Sequence, residues 1–282
     1  MSARPVLVLC EGPHDIAFLT RLLALTADAI PQDVAVSKLE WPFGKLFTDR
    51  FASRNANDAK LGSSGPVLPD EPPLLDAVWK LPDDSRQWYF LNCCGDSRSG
   101  QINAFFKLVI ALSQMPEPDR RLTELGIVFV NDADDIGIAA RQKRITDNHA
   151  ALLSPLLPNF ATLAANGVQH SGGYGAGTCV FSKPGTDKGT LEEIVWPMMQ
   201  ATDSTRHDLS LALMEKFAVH GTKIGPDKPV SKMLKAALTT AGQVECPGYS
   251  LAVVLRETQA LDASAMKADP SSQAFVNVLM KV

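Results

Sequence analysis

VLVLCEGPHD, residues 6–15, and GIVFVNDADD, residues 126–135, share one construction. In each, a short run of strand-favouring residues ends directly on carboxylates, and a helix-like stretch follows. The first run is apolar at every position from Val6 to Cys10, as a strand covered on both faces requires. Strands of that kind belong to a mostly parallel sheet flanked by helices, an α/β fold. Such sheets bind ligands outside the carboxyl ends of their strands. Glu11, Asp15, Asp132 and Asp134 are therefore expected together at one end of the sheet. Carboxylates gathered there repel one another and call for a cation, and hard oxygen donors favour Mg²⁺ or Mn²⁺.

Outward from the first run, residues 14–29 read as a helix: Ile16, Leu19, Leu22, Leu23 and Thr26 recur at helical spacing. Residues 34–39 alternate and read as a second strand. Residues 41–86 change character, with WPFG, SSGP, LPDEPP and LPDD. They form an irregular insertion, with a short helix at 74–80, expected to lie peripheral to the sheet. A third strand is expected at 87–94, a turn at 95–100, a helix at 101–114, a fourth strand at 126–130 and a helix at 136–153. Strand–helix units in series imply right-handed crossovers. A further strand is expected at 177–182, and helices at 190–199, 206–219, 230–240 and 271–281. The expected organisation is an α/β domain over residues 1–200 with a helical extension, 201–282, packed on it.

The 282 residues are 45% hydrophobic and 21% charged, enough to bury a core. A net charge of −4 argues against a histone-like polyanion binder. It leaves room for a nucleic-acid enzyme, because bound divalent ions would offset an acidic site locally. The five cysteines, Cys10, Cys93, Cys94, Cys179 and Cys246, contain no CxxC and read as free thiols in a reducing cytoplasm. The apolar run at the N-terminus is too short for a signal peptide or a membrane span. A cytoplasmic protein without a membrane partner is expected.

Each candidate residue also has a plainer reading. Asp15 sits where an acid caps a helix. Asp132 and Asp134, at alternate positions of an extended segment, would share one face. Asp135 would then point away into solvent. Gly12 and Gly95, each beside a strand end, would allow close approach of a phosphate or cofactor, or simply make turns. Gly172, Gly173, Gly175 and Gly177 are not set between strand and helix as a dinucleotide fingerprint requires, and read as a hairpin turn. His149, His170, His207 and His220 have no ligand spacing, so zinc is not expected. His14, next to Asp15, is placed to touch a phosphate.

The EGxxD of residues 11–15 followed by the DxD of 132–134 resembles the Toprim domain, the metal-binding fold of topoisomerases, bacterial primases, OLD-type nucleases and some small ribonucleases. The match runs over roughly residues 4–200. It carries Glu11 and Gly12 after the first strand, Asp132 and Asp134 after a later one, and Asp15 as the second acid of the OLD-type spacing. The stretch GTDKGTLEEIVWPMM, residues 185–199, is similar to the GTLE signature of an uncharacterised bacterial family of Toprim-like proteins. The resemblance implies further ligands from a hydroxyl-x-Glu element, matched by Thr190 and Glu192, and an assisting lysine, matched by Lys228 or Lys232. Thr190 reads as well as a helix cap, with Glu193 completing a capping box. Glu192 is open between ligand and helix-start acid.

The resemblance implies Mg²⁺-dependent phosphodiester cleavage of DNA or RNA, with Glu11, Asp132, Asp134 and Lys232 in the chemistry. Glu11, Asp15 and Asp132 would hold one ion, and Asp134 with Glu192 a second. None of Tyr89, Tyr174 and Tyr249 adjoins either motif, which argues against strand passage. A non-catalytic Toprim-like module in a defence or repair assembly is the alternative. The sequence holds no Walker A motif, so an ATPase would have to be a separate partner. An aspartyl-phosphate protein is disfavoured, because DADDI lies mid-chain and lacks the needed Thr. The oligomeric state is open.

Overall fold

The computed structural model describes residues 3–50, 74–218, 230–259 and 261–282. Seven strands form one sheet in the order β2-β3-β4-β1-β5-β7-β6. Their spans are β1 Arg4–Cys10, β2 Ile30–Pro31, β3 Leu75–Lys80, β4 Arg86–Asn92, β5 Leu125–Asp132, β6 Val168–Ser171 and β7 Tyr174–Phe181. The helices of the first part are α1 Pro13–Ala27, α2 Phe43–Arg50, α3 Ser99–Ser113, α4 Ile138–Leu153 and α5 Leu191–Thr202. Those of the C-terminal part are α6 Ser204–Ala218, α7 Val230–Gly242, α8 Leu251–Glu257, α9 Ala263–Ala268 and α10 Pro270–Lys281. The four central strands, β4-β1-β5-β7, run parallel, while β2, β3 and β6 are antiparallel additions at the two margins.

The continuous apolar run of β1 is split between two layers by its period of two. Val6, Val8 and Cys10 join one core with α1, α5, α8 and α10, whereas Leu7 and Leu9 join the other with α2, α3 and α4. The C-terminal helices thus share the core of α1 and the sheet. Phe181 of β7 stacks edge-on against Phe18 of α1 at 5.9 Å and Phe275 of α10 at 5.0 Å. Gly177 lets α10 come this close: a Cβ there would lie 2.6 Å from Val278 Cγ1. Gly175 and Gly177 are therefore strand positions under a helix, while Gly172, at φ 58°, and Gly173 make the expected hairpin between β6 and β7.

Helices α1 and α4 follow adjacent strands, β1 and β5, yet cover opposite faces of the sheet. The carboxyl ends of β1 and β5 consequently flank a crevice, which is where ligands bind in open α/β sheets.

The helix expected at 74–80 is instead strand β3, Leu75–Lys80, inserted between β2 and β4, so this part of the 41–86 stretch lies within the sheet. The register shifts between Leu75 and Ala77, which buries Leu75 and Val78 three residues apart and imitates a helical period. The strand expected at 34–39 is a single 3₁₀ turn, Val36–Lys38, and the extended pairing falls earlier, at Ile30–Pro31. Residues 51–73 of the expected insertion, and Val219 of the expected helix 206–219, lie outside the described residues. Among the described residues no helix is long and apolar enough to cross a membrane. Cys10, Cys93 and Cys179 are buried, Cys94 is exposed, and all five cysteines are free.

Candidate active site

The parallel register pairs Cys10 with Val130, which brings the residues following β1 alongside the end of β5. Glu11 uses this neighbourhood directly: Asp132 N donates to Glu11 Oε2 at 3.0 Å. Asp132 in turn reaches the start of α5, accepting from Leu191 N at 2.8 Å. A carboxylate at a helix N-terminus is favoured by the unpaired amides and the helix dipole. Two motifs far apart in sequence, and the start of α5, are joined by two hydrogen bonds.

Asp15 accepts from Gly12 N at 2.9 Å and so caps α1, as the plainer reading expects. It also lies in the acidic cluster. Asp15 is only 6% exposed, and Glu192, in the first turn of α5, is 4% exposed. Burial pushes the Asp15 carboxyl up to about 7; Gly12 N opposes this, and the charges of Glu11 and Glu192 add to it. Burial, then the charges of Asp15 and Glu192, push Asp132 up to about 9, against the Leu191 amide. Glu11, Asp15, Asp132 and Glu192 thus form one mutually repelling group.

Asp134 departs from expectation. It is not in an extended segment beside Asp132 but in a left-handed conformation, φ 50°, which Asp tolerates better than most residues. Its backbone pairs with Gly189: Asp134 N donates to Gly189 O at 2.8 Å, and Gly189 N to Asp134 O at 3.0 Å. Its side chain is half exposed and bound by Arg141 Nη2. The alternation of an extended D-x-D is broken at Asp134, whose carboxylate is tied to the Glu11 end of the cluster through Arg141, while Glu192 lies near Asp15 and Asp132. Asp135 is exposed.

The cations of the site are residues that sequence reasoning passed over. Arg141, on α4 and with a side chain only 8% exposed, binds Asp134 and lies 3.7 Å from Glu11 Oε1. Lys235 of α7 donates its Nζ to Glu192 Oε1 at 2.9 Å. The expected Lys232 is exposed, one helical turn earlier, and Lys228 lies outside the described residues. His14 is close to both Lys235 and Glu192; burial and then Lys235 lower its pKa, and Glu192 opposes them. Arg141 falls seven residues after Asp134, a position that puts it on the helix following the DxD loop; no motif marks it.

A Cβ on Gly12 or on Gly95 would meet nothing within 4 Å, and Gly95 N donates to Glu11 O at 2.9 Å, which ties the turn after β4 to the residue that follows β1.

Among the described residues no group of three or more His, Cys, Asp or Glu side chains is gathered as a ready metal cage. The donor set nevertheless suits a hard divalent ion. It consists of carboxylate oxygens, and burial followed by the neighbouring acids raises the pKa values of two of the acids, Asp15 and Asp132. Thr190 is the N-cap of α5 and Glu193 completes a capping box there, its Oε2 accepting from Thr190 N at 3.2 Å, as the plainer reading expects.

No family model matches this chain, and no curated protein does. A solved structure of a hypothetical protein from Pyrococcus horikoshii OT3 is similar over 99% of this chain and 95% of its own, with a TM-score of 0.50 and 15% identity. That likeness is one of fold.

Proposed function

We propose that the protein is a Mg²⁺- or Mn²⁺-dependent phosphoryl-transfer enzyme, a nuclease acting on DNA or RNA through a Toprim-like carboxylate cluster. The observation that carries this reading is the junction of Glu11, Asp132 and the α5 start at the β1–β5 crevice, with Asp15 and Glu192 buried beside it. The order of the EGxxD and DxD motifs supports it independently. Glu11, Asp15, Asp132 and Glu192 would hold the ion, which supplies a water of lowered pKa and neutralises charge on the phosphate.

The chain's own groups set the rest. Arg141 holds Glu11 and Asp134 toward one cation and keeps the DxD loop against β1. Lys235 balances Glu192 and, being half exposed, faces both the acids and solvent. The open sides of Gly12 and Gly95 leave a phosphate a path to the carboxylates.

A second reading, a non-catalytic Toprim-like binding module, draws support from Arg141, whose guanidinium already neutralises two of the acids. The test is nicking of supercoiled plasmid and cleavage of labelled RNA in Mg²⁺ or Mn²⁺. The nuclease reading expects metal-dependent cleavage that is lost in Glu11→Ala and Asp132→Asn and kept in Asp135→Asn. Metal binding without cleavage of either substrate would favour the module.

A further inference from the structure

The segment between β7 and α5, Lys183 to Gly189, is a tongue fixed to the site at its base. Lys183 N donates to Lys188 O at 2.8 Å, closing the neck. Thr186 N donates to Lys183 O at 3.0 Å, and the Thr186 hydroxyl contacts the carbonyls of both lysines, at 3.0 and 2.8 Å. Ile138 N donates to Asp187 O at 2.7 Å, docking the tongue on the start of α4. The paired bonds between Gly189 and Asp134 lock it to the DxD loop, and two residues later Leu191 N meets Asp132. The fixed end of the tongue lies at the acidic cluster, through Gly189 on Asp134 and Leu191 N on Asp132.

What the tongue presents is positive charge. Lys183 and Lys188 are both exposed, and among the described residues neither ammonium has a carboxylate within ion-pairing distance. Two acids, Asp187 of the tongue and Glu193 beyond it, lie nearby, and neither forms an ion pair with these lysines. The Asp187 carboxylate faces Gly137, where a Cβ would lie 3.1 Å from Asp187 Oδ2, at the N-terminus of α4. The Glu193 carboxylate accepts from Thr190 N. The backbone bond between Lys183 and Lys188 starts both exposed side chains from one neck beside the acidic cluster, so their positive charges are available to an anion approaching it.

We infer that the Lys183–Lys188 tongue is a phosphate-backbone clamp, which seats the nucleic-acid strand next to the carboxylate cluster. The inference rests on the nuclease reading of that cluster and adds to it the element that binds substrate. Lysines contact phosphates as point charges without reading base sequence, so the clamp supplies affinity and register rather than specificity. It also offsets the repulsion between an acidic site and a polyanion.

The test is the salt dependence of binding by the full chain to fluorescein-labelled duplex DNA and to a single-stranded RNA, in Ca²⁺, followed by anisotropy. Lys183→Ala/Lys188→Ala is expected to lower the slope of log affinity against log salt on duplex DNA by about 2, and to weaken binding about tenfold or more near physiological salt. Lys183→Arg/Lys188→Arg should bind as the wild type does. An unchanged slope in the alanine protein, or an equal loss in the arginine protein, would overturn the clamp. Mn²⁺ titration and plasmid nicking on the same proteins separate the two ideas. If the wild type nicks in Mn²⁺ while the alanine protein keeps the wild-type slope, the clamp fails and the nuclease reading stands. If the wild type neither binds nor nicks, both fail.

Discussion

Glu11 and Asp132 lie 121 positions apart and meet where two parallel strands end, with Asp132 N donating to Glu11 Oε2 at 3.0 Å. One further bond, from Leu191 N to Asp132 Oδ1, ties this pair to the helix that carries Glu192. The consequences can be measured at each member of the cluster.

Arg141 is the cation that pairs with both Glu11 and Asp134, and its removal leaves the two acids without their shared counter-charge. Loss of one partner from a fully buried pair costs about 3–5 kcal/mol, but Asp134 is half exposed and screened, so Arg141→Ala is expected to cost about 1–2 kcal/mol. Mg²⁺ should restore part of that loss. Urea unfolding with and without Mg²⁺ checks it; a variant as stable as the wild type in metal-free buffer would show that the guanidinium does not hold the loop.

Asp132 gives a pH signature. Its folded-state pKa is raised from 3.8 to about 9, so between these values the folded chain holds a proton that the unfolded chain releases. Stability from this group therefore falls as pH rises through that window. Asp132→Asn removes the penalty while its side-chain oxygen still accepts from Leu191 N. In metal-free buffer the variant should be no more stable than the wild type near pH 4 and should melt several degrees higher at pH 9. A difference in Tm that does not change with pH would show that Asp132 carries no such strain.

Glu192 separates ligand from scaffold. Replacing it with Gln keeps its size but removes the charge that Lys235 meets at 2.9 Å. Isothermal titration with Mn²⁺ should show weaker binding or a lost site, without loss of secondary structure by circular dichroism. Unaltered affinity and stoichiometry would make Glu192 a buried partner for Lys235 and nothing more.

Gly177 tests how α10 is seated. A Cβ there meets Val278 Cγ1 at 2.6 Å and Val282 Cγ2 at 2.8 Å, both side-chain atoms that can give way only by moving α10. Gly177→Ala is expected to destabilise the fold by about 1–3 kcal/mol. Calorimetry of the variant would show it, and a neutral result would mean that α10 packs loosely on β7.

Much of the architecture could be read from residue pattern, because the apolar runs of β1 and β5 are too continuous for strands with one wet face. Position 75–80 could not, since a register shift hid the strand period behind a spacing that helices also use. At the site, Glu11 and Asp132 were legible because strand ends in a parallel sheet converge whatever lies between them. The orientation of Asp134 was not: a left-handed residue breaks the alternation that an extended DxD would follow. Arg141 and Lys235 were invisible for a different reason. A basic residue on a helix looks like any solvated charge until the fold brings a carboxylate to it, and Lys232, one turn from Lys235, carries the same signal in sequence.

The most direct measurement is an anomalous difference map from a crystal of the full chain soaked in Mn²⁺. A peak is expected in the β1–β5 crevice, within ligand distance of the Glu11 and Asp132 carboxylates, with Asp15 or Glu192 completing its shell and Asp132→Asn abolishing it. A map without density there at saturating Mn²⁺, with Arg141 still bridging Glu11 and Asp134, would contradict a metal-dependent enzyme.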